Sequence, residues 1–169
     1  KIDNFIFESF NKKNFEEFVG YAVNFVQDNH SSSSKGVLRG LHFQRNPEAQ
    51  AKLIRCIKGE IYDVAVDIRC NSPTFGKWCG VYLNDENKKI FWIPSGFAHG
   101  FLAMNERVEV IYKATNKWSY KHERSIRWND IKLAIDWPVK EYNLAKIITN
   151  KKDRDAPSFD EAIKNGDIF

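Results

Sequence analysis

Apolar and polar positions alternate with a period of two along most of this chain. Such runs recur at residues 21–27, 37–43, 52–57, 61–68, 78–83, 89–93 and 107–113, parted by Gly, Asn, Asp or Pro clusters. Brief strands joined by tight turns give this pattern, and seven or more of them predict an antiparallel sandwich or barrel. Helical spacing occurs twice. Phe15, Phe18 and Val19 mark a helix over residues 11–20 that stops at Gly20, and Ser158 followed by Glu161 fits a capping box opening a helix over 158–164. The Ser31-Ser-Ser-Ser34 run reads as a loop between strands. With no internal repeat and no composition break, residues 1–169 read as one domain.

Alternation also says which side chains can meet. Val108, Val110 and Tyr112 share one face against Arg107, Glu109, Ile111 and Lys113, which points Tyr112 into the barrel. Asp63, Ala65 and Asp67 oppose Tyr62, Val64, Val66 and Ile68, so the two carboxylates are either solvated or line a wet cavity. From Leu38 to Gln44 neither face is cleanly apolar, and the direction of Arg39 and His42 stays open.

Composition narrows the class. Thirteen Phe, 5 Trp and 6 Tyr with a net charge of only +4 exclude a disordered chain. The most apolar stretch, residues 90–104, is broken by Pro94, Gly96, His99 and Gly100 and is too short to span a bilayer. No secretory signal is read. Basic residues are interleaved with acids, as in Lys121-His-Glu-Arg124, which argues against nucleic acid and for a small anionic ligand. Cys56, Cys70 and Cys79 match no metal spacing and read as reduced thiols of a cytoplasmic protein, with Cys56 and Cys79 half-buried on strands. A His, a Lys, a Tyr and an Asp inside an open barrel would suit proton transfer, although each alone has an ordinary structural explanation.

The motifs Gly36-Val-Leu-Arg-Gly-Leu-His-Phe-Gln44, Asp63-Val-Ala-Val-Asp-Ile-Arg69, Ser72-Pro-Thr-Phe-Gly-Lys-Trp78, Ile93-Pro-Ser-Gly-Phe-Ala-His-Gly-Phe101 and Trp128-Asn-Asp130 follow in an order that resembles the dTDP-4-dehydrorhamnose 3,5-epimerase family. The resemblance runs from about Phe5 to Ala162 and implies an all-β, cupin-type jelly-roll barrel with short peripheral helices. It implies cofactor-independent 3,5-epimerisation of dTDP-4-dehydro-6-deoxy-D-glucose on the route to dTDP-L-rhamnose and cell-surface polysaccharide such as lipopolysaccharide. The family's base falls on His42, its supporting carboxylate on Asp153 with Asp63 as a second candidate, its proton donor on Tyr112 and its enolate-stabilising cation on Lys52. Nucleotide-sugar binding carries over to Glu8, Gln27, Asp28, Asn29, Arg39, His99, Glu123 and Lys152. Trp118 stands where an aromatic stacks on thymine, or else is a packed strand-end residue.

The chain departs from the family in reading Lys1-Ile-Asp-Asn4 where an Asp-x-Arg-Gly is expected before Phe7-Glu-Ser9, and the strand ahead of it is absent. Because the sequence starts without Met, it is either truncated or altered there. A phosphate-binding Arg is then missing or supplied otherwise, and the homodimer implied by the family, built by exchanged N-terminal strands, would be weakened. Three rivals stay open. A metal-dependent cupin would use Pro94-x-Gly-x-x-His99 with His42-Phe-Gln44 and Glu48, but Gln replaces a needed imidazole. A relative could epimerise one carbon only, or act on another 4-keto nucleotide sugar. A non-catalytic binding module would have no use for a combined base and acid.

Overall fold

The computed structural model describes residues 5–169; the departing residues 1–4 lie outside the described residues. The elements run α1 (Lys12–Val19), β1 (Gln27–Ser33), β2 (Leu38–Gln44), β3 (Lys52–Lys58), β4 (Glu60–Asp67), β5 (Trp78–Asn84), β6 (Ile90–Ile93), β7 (Phe97–Ala103), β8 (Val108–Ala114), β9 (Glu123–Ser125), α2 (Lys151–Arg154) and α3 (Phe159–Lys164). Strands pair antiparallel in two sheets, β1-β8-β3-β6 and β5-β4-β7-β2-β9. Early and late strands alternate within both sheets, as two interlocked Greek keys require, and this is the expected jelly roll.

Two apolar clusters explain the strand sequences. Between the sheets, Ile54, Cys56, Ile93, Val108 and Val110 of the four-stranded sheet meet Ile61, Ala65, Leu83, Phe101 and Ala103 of the five-stranded one. On the outer side of the five-stranded sheet, Leu38, Leu41, Phe43, Val64, Val66, Ala98 and Leu102 are covered by Ile126, Leu133, Trp137, Phe159 and Ala162 from the C-terminal third. β4 and β7 are therefore apolar on both faces, which is why their alternation is weak. Each fully buried Ile or Leu contributes about 1.5–3 kcal/mol.

The expected helices are present. α1 is capped by Asn11 and stopped by Gly20 at a φ of 82°, and α3 carries the Ser158–Glu161 capping box. α1 buries no residue, however; Phe18 is exposed, while Phe15 packs edge-on against Trp92. Several strand expectations need correction. Residues 21–26 are irregular, and the strand begins at Gln27 and runs through Ser31–Ser33, the run read as a loop. The polarity of β1 arises because its inward residues face a polar part of the interior while Asp28, His30 and Ser32 face out. β7 was disguised by Gly96 and Gly100, and β9 and α2 are too short for periodicity to reveal. Cys79 is exposed rather than half-buried; Cys56 is buried, and none of the three thiols is paired.

Asp67 is neither solvated nor in a wet cavity. It accepts from Arg69, Ser72 and Thr74 and thereby ties down the loop after β4. Asp130 of the Trp-Asn-Asp motif is likewise structural, accepting from the backbone N–H of Lys132, Leu133 and Phe159.

Candidate active site

β2 supplies two inward side chains three residues apart, which strict alternation forbids. Its register shifts between Arg39 and His42, so that Leu38, Leu41 and Phe43 all face the outer cluster and leave Arg39 and His42 on the inner face. Gly40 makes the shift possible: its φ is +129°, and a Cβ there would lie 2.5 Å from Gly100 Cα. This irregularity is the reason the two faces of β2 could not be separated by pattern.

His42 Nε2 lies 2.5 Å from Asp153 Oδ1 of α2. An ionised carboxylate only accepts, so Nε2 carries the proton and Nδ1 offers its lone pair. Asp153 is fully buried, and its Oδ2 accepts from Gly40 N–H at 3.1 Å and from Asn150 Nδ2 at 3.2 Å. A second pair lies beside it. His99 on β7 is the cross-strand neighbour of His42, and its Nε2 donates to Asp63 Oδ1 at 2.6 Å. Asp63 therefore supports His99 and not His42, contrary to the expectation. Burial pushes the His99 imidazole below its ordinary value, although Asp63 opposes this, so the ring is held neutral.

The facing sheet brings the phenol and the ammonium. Tyr112 on β8 pairs across to Asn29 on β1 and Ile54 on β3, and Lys52 Nζ sits 5.9 Å from the centre of its ring. Burial raises the Tyr112 hydroxyl, Glu123 reinforces this and Arg39 counters it, so the group stays protonated at neutral pH. Burial lowers Lys52 to about 8, against the pull of Asp63 and Glu123. Arg39 is braced by Ser33 Oγ at 3.1 Å and Ser32 O at 3.3 Å. Asn29 Nδ2, Ser31 Oγ, Asp63 Oδ2 and Ser125 Oγ are buried without a hydrogen-bond partner. Orphaned polar atoms of this kind carry a desolvation cost that a polar ligand would relieve.

Toward the C-terminal segment, Glu123 and Lys152 form an ion pair at 2.6 Å. Gln27 donates to Asn29 at 3.0 Å and accepts from Trp118 N–H at 2.9 Å. Trp118 is open to solvent and not packed, with Tyr120 edge-on to it at 6.3 Å. Two expected binding residues do not join the group. Asp28 points outward and pairs with Lys113 at 3.1 Å, because the β1 pleat turns it away from Asn29. Glu8 is exposed ahead of α1 against Asn11. Ser31, Ser125 and Asn150 went unread: the serines sat in a run resembling a loop and in a three-residue strand, while Asn150-x-x-Asp153 carried a capping signal that could have been seen. Among the described residues no cluster of three or more His, Cys, Asp or Glu could hold a metal. Gln44 is turned to Glu48 O and Lys117 O.

The family model for dTDP-4-dehydrorhamnose 3,5-epimerase matches residues 4–161. A Salmonella typhimurium protein of that name is 55% identical over 159 residues, covering 94% of this chain and 85% of its own. The crystal structure of dTDP-6-deoxy-D-glucose-3,5-epimerase from Legionella pneumophila, in complex with dTDP-4-keto-L-rhamnose, superposes with a TM-score of 0.89 at 45% identity, over 96% of this chain and 84% of that one. A Mycobacterium tuberculosis epimerase gives 0.93 at 39% identity, over 96% and 80%.

Proposed function

The chain belongs to the dTDP-4-dehydrorhamnose 3,5-epimerase family, whose members are isomerases, and from that premise we propose that it inverts C3 and C5 of dTDP-4-dehydro-6-deoxy-D-glucose by proton transfer. The 4-keto group acidifies both C–H bonds. His42 Nδ1 takes a proton from one face, and the C–H electron pair moves onto O4 as an enolate. The Lys52 ammonium stabilises that charge. The Tyr112 hydroxyl then gives a proton to the same carbon from the other face, and exchange with solvent restores the imidazole and the phenol before the second carbon reacts.

One observation carries this reading: the imidazole and the phenol come from opposing sheets, with the ammonium beside the phenol. Arg39 is the diphosphate partner, its planar fork matching phosphate oxygens. Gln27, Asn29, His99, Glu123 and Lys152 hold the rest of the nucleotide sugar, and Trp118 stacks on the base. A second copy of the chain fits the outer face of the four-stranded sheet, where Phe10, Leu53, Ile90 and Ile111 line an apolar hollow; Glu8 lies on that side and would serve the neighbouring site. Three unpaired thiols accord with a cytoplasmic setting.

The test is turnover in deuterated water followed by NMR. Label is expected at both C3 and C5, and His42→Ala should abolish both. Label at C3 alone would make the protein a mono-epimerase, and unchanged exchange in His42→Ala would remove the imidazole from the mechanism.

A further inference from the structure

Asp153 is held by more than the helix it belongs to. α2 is a single turn of four residues, and Asn150 caps it with Oδ1, which accepts from Asp153 N–H at 2.7 Å. A cap needs only that acceptor. Here the other end of the same amide also works: Nδ2 donates to Asp153 Oδ2 at 3.2 Å, beside the Gly40 N–H on that oxygen. Two donors on Oδ2 leave Oδ1 for His42, so the carboxylate can neither rotate nor exchange its oxygens without losing contacts in a fully buried spot.

We infer that Asn150 is a positioning residue for the proton-transfer site, fixing through its side-chain amide which Asp153 oxygen meets His42. This deepens the reading of His42 as the base and rests on it. The other charged or titratable groups near this pair are Lys152 on α2, Glu123 on β9 and His99 on β7, with Lys52 and Asp63 beyond them from β3 and β4. None of them donates to Asp153, so without the amide only the Gly40 N–H remains on Oδ2.

Three variants separate a cap from a positioning group. Asn150→Asp keeps a good cap acceptor but sets a carboxylate against Asp153 Oδ2. Asn150→Ser keeps the acceptor and can donate as well, as Ser158 Oγ does to Glu161 at 2.8 Å in α3. Asn150→Ala loses both contacts. Asn150→Asp should lower kcat about tenfold or more, with KM within about twofold in protein that still folds, while Asn150→Ser stays near wild type. The acid limb of kcat/KM should move to higher pH in Asn150→Asp only, because added negative charge favours the imidazolium. Wild-type kcat and acid limb in Asn150→Asp would reduce Asn150 to a cap and overturn the inference. So would equal losses in the Asp and Ser variants. The 15N spectrum of the His42 ring in ligand-free protein at neutral pH is read independently of turnover. A larger doubly protonated fraction in Asn150→Asp supports the positioning role even if His42→Ala proves active, and an unchanged spectrum counts against it even if His42→Ala is dead.

Discussion

Replacing Lys52 by Met should make the protein more stable and far less active. The ammonium is desolvated inside the barrel, which brings it from 10.5 to about 8 despite the nearby Asp63 and Glu123 carboxylates. At about 1.4 kcal/mol per unit, that difference means the charged amine costs the fold about 3 kcal/mol. Below pH 8 the amine is charged in both folded and unfolded chains and the whole cost is present. Between about 8 and 10.5 the unfolded chain holds a proton that the folded one has released, so stability rises with pH, and above 10.5 the cost is gone. Met keeps the length without the charge. It should add about 1–3 kcal/mol at neutral pH, the upper end being a ceiling because Asp63 and Glu123 lose a partner, and the gain should vanish toward the top of that window. Exchange at C3 and C5 should meanwhile fall on the order of 10²–10³-fold, since the enolate loses its counter-charge. Guanidinium unfolding at neutral and alkaline pH, run beside the deuterium assay, reads both effects. A variant less stable than wild type at neutral pH, or one that exchanges at nearly the wild-type rate, would refute the reasoning.

Further outcomes follow from the same geometry. Wild-type kcat/KM should decline above pH 8 as Lys52 releases its proton, and that limb should be missing from the residual activity of Lys52→Met. Tyr112→Phe should reduce kcat by about 10²-fold or more with little change in KM; a change in KM alone would assign the hydroxyl to recognition. Arg39→Lys should raise KM about tenfold and leave kcat nearly unchanged, because a point charge cannot reproduce a forked pair of contacts; an unaltered KM would place the diphosphate elsewhere. Burial alone would raise the Asp67 carboxyl, yet hydrogen bonds from Arg69, Ser72 and Thr74 outweigh it and hold the group well below the usual carboxylate range. Its contribution is complete at neutral pH and is lost as acid is added below about pH 4, so Asp67→Asn should cost about 2 kcal/mol at neutral pH and flatten the acid limb of the stability curve.

The periodicity of two was enough to find most strands and to aim Tyr112 correctly, because β8 keeps a regular pleat from Val108 to Ala114. It failed where the pleat breaks. Arg39 and His42 share the inner face only through the register shift at Gly40, which alternation cannot foresee. Asp63 came from the resemblance as a second candidate to support His42, but the pairing is set by which strands are neighbours: β4 lies against β7, which brings His99 to it. β1 was misplaced because its inward residues are polar by need. A strand lining a ligand cavity lacks the apolar alternation that identifies strands facing a core. Asp28 fell with it, since Gln27, Asp28 and Asn29 are consecutive and a strand can turn only alternate residues inward.

The division of labour between the sheets follows from distance. Inverting a carbon requires a base and an acid on opposite faces of one ring. Neighbouring strands hold side chains about 5 Å apart on the same side, so no pair within one sheet can meet that requirement. Opposing sheets face one another across the interior, so an imidazole reaching from β2 and a phenol reaching from β8 can approach one ring from its two sides. Tyr112 packs against the apolar cluster that holds Ile54, Val110 and Phe101, and burial raises its hydroxyl. The same burial that raises Tyr112 lowers Lys52, so the phenol stays protonated while the ammonium nears its titration point. Replacing Val110 with Ser would wet that wall. The expected signature is a wider pH window of activity, its alkaline limit moving up from about 8, because admitted water would return Lys52 toward its ordinary value while Tyr112 falls only toward 10, and an unchanged window in a folded Val110→Ser protein would show that the wall does not set them.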